Sequence, residues 1–137
     1  MTKEIWINLP VKDVKRSKEF FTSLGFSFDS SYMDNDEGAS LVIGDKGVIV
    51  MLFKESAFEN FTGNKITDSK LSTEVLFSID AESREEVDEM VDKVLKAGGT
   101  IYAKAGEHDG WMYGCGFADL DGHRWNVLYM DMSKMPM

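Results

Sequence analysis

Ser83-Arg84-Glu85-Glu86-Val87-Asp88-Glu89-Met90-Val91-Asp92-Lys93-Val94-Leu95-Lys96-Ala97-Gly98-Gly99 is a helix with both of its ends written into the sequence. Val87, Met90, Val91, Val94 and Leu95 recur at the three- and four-residue spacing that gathers them on one face. Ser83, followed three residues later by Glu86, forms a capping box in which each side chain takes up a backbone N–H that the first turn leaves unpaired. Gly98-Gly99 supplies a left-handed stop. Upstream, Thr73 to Ile79 reads as a strand. Downstream, Thr100 to Ala103, Trp111 to Phe117 and Arg124 to Met130 read as three more, the last two joined by Asp119-Leu120-Asp121-Gly122, whose Asp-Gly step favours a turn. The order is β-α-β-β-β.

The same order precedes it. Ile5 to Leu9 reads as a strand that stops at Pro10, and Asp13 to Leu24 as a helix with Val14, Phe20, Phe21 and Leu24 on one face, Asp13 capping its start and Gly25 its end. Phe26 to Phe28, Ser40 to Ile43 and Val48 to Phe53 read as three strands, separated by polar Asp29 to Gly38 and by the turn Gly44-Asp45-Lys46-Gly47. Lys54 to Ser72 reads as a polar connector with one helical turn around Ala57 to Phe61. Aligning Asp13 with Asp80 and Gly25 with Gly98 gives offsets of 67 and 73 residues in a chain of 137, so the halves are structural repeats. The expected architecture is α+β: two βαβββ modules, about 1–56 and about 73–131, joined by a connector over about 57–72 within one domain spanning 1–137.

Composition narrows the function. A formal charge of −9 argues against nucleic acid and anionic membrane surfaces, both of which need a basic stripe, and no run of Lys or Arg exceeds a pair. Cys115 stands alone, so no intrachain disulfide and no cysteine zinc site can form. Met1-Thr2-Lys3-Glu4-Ile5-Trp6 lacks the basic start and apolar run of a secretion signal, and nowhere do about 18 apolar residues follow one another. The expected compartment is the cytoplasm.

Two motifs carry a resemblance. Asn8-Leu9-Pro10-Val11-Lys12-Asp13-Val14-Lys15-Arg16-Ser17-Lys18-Glu19-Phe20-Phe21, closing on Leu24-Gly25-Phe26, resembles the opening strand and helix of glyoxalase/bleomycin-resistance (vicinal oxygen chelate) proteins. Phe117-Ala118-Asp119-Leu120-Asp121-Gly122-His123-Arg124-Trp125 is similar to their closing hairpin, with Leu120 where proline is usual. The resemblance implies a half-open curved mixed sheet with flanking helices in each module. It also implies a cavity enclosed by paired modules that takes a metal or a small molecule, and frequent homodimers.

The same resemblance places four metal-ligand positions, normally His, Gln or Glu. Seven residues before Asp13 stands Trp6, and seven before Asp80 stands Thr73; the positions on the last strands hold Met51 and Asn126. A hard dication needs several anionic or imidazole donors, so the expectation is no metal and no cofactor. A displaced site built from His108 and His123 with Glu107 or Asp121 is the weaker reading, since both histidines read as solvated loop residues. Cys115, between Gly114 and Gly116, reads as a small buried apolar residue rather than a nucleophile, and no catalytic residue is identified.

If the family geometry holds, Trp6, Met51, Thr73 and Asn126 face the cavity, and alternation along the strands adds Asn8, Phe53, Val75 and Leu128. Such an apolar and aromatic lining with few polar groups is that of a small-molecule pocket. The leading expectation is a metal-independent binder of a small molecule. The alternative is a glyoxalase-type lyase, isomerase or dioxygenase with a displaced metal, and a third reading is a scaffold whose edges pair with another chain. The stretches 29–38 and 54–72 are candidate lids, and the tail after Asp131 reads as mobile.

Overall fold

The computed structural model describes residues 1–136, which divide into two compact units, Met1–Asp68 and from Ser69 onward. The first contains β1 (Trp6–Val11), α1 (Val14–Ser23), β2 (Ser27–Phe28), β3 (Gly38–Ile43), β4 (Val48–Lys54) and α2 (Glu55–Thr62). The second contains β5 (Leu76–Asp80), α3 (Arg84–Lys96), β6 (Thr100–His108), β7 (Met112–Ala118) and β8 (Arg124–Met130), then a short 3-10 turn over Met132–Lys134.

The sheets have one topology. In order β1-β4-β3-β2 and β5-β8-β7-β6, each pairs its first strand parallel to its last and the remainder antiparallel. Both are mixed, four-stranded and unclosed, so the fold is α+β with a repeated βαβββ order.

Both long helices begin as their sequences dictate. Asp13 accepts the Arg16 N–H, and Ser83 accepts the Glu86 N–H while Glu86 reaches back to the N–H of Glu82. Gly25 and Gly98 take φ of 101° and 92° beyond the last turns. Each helix buries one face on its sheet: Val14, Phe20 and Phe21 over Leu9, Val11, Leu41, Val50 and Leu52 in the first unit, Val87 and Val94 over Phe117, Trp125 and Val127 in the second.

Three boundaries differ from the sequence reading. β1 runs through Pro10, which pairs with Phe53, because β1 is an edge strand where a missing N–H is tolerated. The connector opens with a full helix, α2, stopped at Gly63 with φ 66°, and it belongs to the first unit. Thr73 to Val75 precede β5, because Leu76 already pairs with Arg124, the first residue of β8, and His123 ahead of it is tied by its backbone to Asp119.

Candidate functional site

Strand register sorts each sheet into a face under its long helix and an open face. In the first unit Trp6, Asn8 and Pro10 of β1 share the open face with Ile49, Met51 and Phe53 of β4, and with Val42, Ser40 and Gly38 of β3. Part of that face is roofed by α2. Asn8 and Phe53 from the sheet, with Phe58, Phe61 and Thr62 from α2, line an open groove of about 440 Å³. Phe53 and Phe61 meet edge to face with centroids 4.9 Å apart, yet Phe61 remains 68% exposed.

Beside the groove, fully buried Ser40 shares its hydroxyl hydrogen between the Met33 carbonyl at 3.2 Å and the Met51 sulfur at 3.3 Å. The Met33 thioether packs so closely on Gly38 that a Cβ there would lie 2.5 Å from its sulfur. The 29–38 segment thus lies over the same open face, and a Lys18–Asp34 ion pair ties it to α1. Trp6, at the start of β1, is half exposed.

In the second unit Asn126 and Leu128 share the open face of β8 with Ser78 and Asp80 of β5 and with Gly116 and Gly114 of β7. Thr73 and Val75, ahead of β5, are exposed and not on that face by strand pairing. The cap of α3 is Ser83 rather than Asp80, so seven residues back from the cap lies Leu76, not Thr73. By that count Ser78, paired with Asn126, takes the place that Asn8, paired with Met51, holds in the first unit.

The displaced-metal set does not assemble. His123 is buried, contrary to the solvated position read from the sequence: its backbone N–H donates to Asp119 Oδ1 at 3.0 Å and its carbonyl accepts the Asp119 N–H. His108 is exposed at the end of β6, and Glu107 is ion-paired with Arg84. Among the described residues no three His, Cys, Asp or Glu side chains gather to hold an ion.

Cys115 is 3% exposed, and burial, with a smaller contribution from the Asp88 carboxylate, pushes its thiol up to about 11. Burial and the raised value both disfavour the thiolate that a nucleophile needs. The residues that sequence reasoning missed are Phe58, Phe61 and Thr62; their signal was the three-residue spacing of two phenylalanines inside a connector.

Similarities to known proteins agree with this geometry. A hypothetical protein from S. aureus matches with 32% identity and a TM-score of 0.84, covering 94% of this chain and 95% of its own. A glyoxalase-related enzyme from Fulvimarina pelagi matches at 18% identity and TM-score 0.79, with 94% and 88% of the two chains covered. A glyoxalase/bleomycin resistance protein/dioxygenase family enzyme from Burkholderia phytofirmans PsJN matches at 16% and 0.77, with 91% and 96% covered. Among curated proteins none matches. No helix among the described residues is long and apolar enough to cross a membrane. The family model of the Glyoxalase/Bleomycin resistance protein/Dioxygenase superfamily matches residues 5–127, and the chain belongs to that superfamily.

Proposed function

We propose that this superfamily member binds a small molecule without the four-ligand metal centre of its enzymatic relatives. The observation that carries the reading is the groove between β1, β4 and α2. Phe53, Phe58 and Phe61 give it aromatic walls, while the Asn8 amide and the Thr62 hydroxyl are the sparse polar groups that orient a guest.

The donor chemistry at the family's metal positions supports the second half. Trp6 offers an indole N–H, which donates and does not ligate. Met51 offers a soft thioether already engaged by Ser40, and Asn126 a neutral amide. Neither Thr73 nor its replacement by count, Leu76, adds an anionic or imidazole donor. This set does not fit a divalent cation, whose dehydration needs charge or imidazole to offset it.

Two measurements test the reading. After dialysis against sub-stoichiometric zinc, nickel, manganese and, anaerobically, iron(II), elemental analysis should find less than about a tenth of an equivalent of each. A neutral aromatic probe such as 2-naphthol should raise the melting temperature in a saturable way without added metal. Stoichiometric retention of one metal, lost on replacing Asn126 or His123, would make a glyoxalase- or dioxygenase-like enzyme the better account. The homodimer expected from the family belongs to the same proposal and is checked by sedimentation.

A further inference from the structure

The open face of the second unit carries a cation that makes no ion pair among the described residues. Arg124 begins β8, and its guanidinium lies 4.2 Å from the centroid of the Tyr102 ring. Its Nε is shut off from solvent and has no hydrogen-bond partner among the described residues. Buried donors of this kind are few in folded proteins, and a water or an anion is the acceptor such a group takes where the protein supplies none. Asp80 is on the same face, but it pairs with Leu128, four residues along β8 from Arg124. At strand rise that is about 13 Å, too far for an ion pair.

The platform under the guanidinium is built by backbone. Between Ile101 and Ala103 the β6–β7 register slips, so Tyr102 falls at an irregularity, and its ring occupies the space that a Cβ on Gly116 would need, 2.5–2.7 Å away. Any side chain at position 116 would displace the ring that carries Arg124. Gly116 pairs with Asn126, and Asn126 with Ser78, so an amide and a hydroxyl stand on the same face as the guanidinium. Leu76, the register partner of Arg124, is half exposed and adds an apolar neighbour.

We propose that Arg124, seated on Tyr102 and flanked by Asn126 and Ser78, is a binding site for the carboxylate of a small aromatic or apolar monoacid. A guanidinium presents paired N–H groups that match the two oxygens of a carboxylate. One cation with neutral neighbours, in a chain of net charge −9, suits a monoanion over a phosphate dianion. The proposal does not rest on the groove reading, and its residues all belong to the second unit.

The test titrates the full chain with benzoate, benzamide and inorganic phosphate by calorimetry. Benzoate should bind saturably and at least about tenfold more tightly than benzamide or phosphate. Arg124→Gln should remove that preference, and Arg124→Lys, which keeps the charge and loses the planar fork, should weaken benzoate by about tenfold. Arg84→Gln, on the helix-covered side, should leave benzoate binding unchanged. Equal binding of benzoate and benzamide, tighter binding of phosphate, or wild-type benzoate affinity in Arg124→Lys would each overturn the proposal. If Arg124→Gln fails to fold, the lysine variant decides.

Discussion

Asp119 accepts the indole N–H of Trp125 on Oδ2 at 3.1 Å, while its Oδ1 accepts the backbone N–H groups of Asp121 and His123 at 3.0 Å each. One buried carboxylate therefore closes the β7–β8 turn and pins the side chain of Trp125, which is 1% exposed. Removing it as Asp119→Ala leaves buried donors without an acceptor, and urea unfolding should show a loss of at least about 2 kcal/mol.

The same carboxyl sets a pH trend. Burial pushes Asp119 above its ordinary value, with the His123 imidazole and the Trp125 hydrogen bond opposing that shift. The folded chain therefore takes up this proton at a higher pH than the unfolded chain. The burial penalty is present in full near neutrality and is relieved as pH falls through the raised value toward the unfolded one. Urea midpoints at about pH 7 and about pH 4.5 should show wild type gaining on Asp119→Asn at the lower pH; the reverse trend would mean that the imidazole and the hydrogen bonds outweigh burial.

Gly114 and Gly106 should respond oppositely to alanine. A Cβ at Gly114 would lie 2.7 Å from the Val127 carbonyl oxygen, which is backbone and cannot swing aside, whereas at Gly106 the nearest atom is 4.0 Å away and φ is not positive. Gly114→Ala should cost about 1–3 kcal/mol by overpacking. Gly106→Ala should be neutral or stabilise by about 0.5 kcal/mol through the unfolded chain. Chemical denaturation of the two variants side by side decides it.

Cys115 should behave as an inert core side chain. With its thiol near 11, only about one molecule in a thousand carries a thiolate at pH 8, and burial blocks reagent access as well. Dithiobis-nitrobenzoate should label the native protein at least about a hundredfold more slowly than the urea-unfolded protein. Comparable rates would show that Cys115 is accessible and reactive in the folded protein.

What the sequence made legible follows from where each signal resides. The caps Asp13 and Ser83 and the stops Gly25 and Gly98 are local chemistry, and the helices begin and end there. β-branched Thr73 and Val75 look like strand residues, but a strand needs a partner, and β8 offers none before Arg124. Gly114 and Gly116 enter the sequence reading only as the neighbours of Cys115, yet in space each is required by a close approach, of the Val127 carbonyl in one case and the Tyr102 ring in the other. Asn8 and Phe53 were readable as open-face residues through period-two alternation, while the helix that completes their groove lay hidden in a connector. The two glycine approaches join residues more than ten positions apart, and a single sequence records no distances between them.

The groove can be probed at Phe61 with little risk to the fold. Its ring touches Phe53 at a centroid distance of 4.9 Å but is largely exposed, so Phe61→Ala should change stability by less than about 1 kcal/mol. A guest that stacks on that ring loses much of its apolar burial with it, and fluorescence titration with 2-naphthol should show affinity reduced by about tenfold or more. Because α2 supplies Phe58, Phe61 and Thr62, a bound guest should also slow amide exchange across Glu55–Thr62. Stability loss matching the loss of affinity would mark Phe61 as a packing residue, and unchanged exchange at saturation would remove α2 from the binding site.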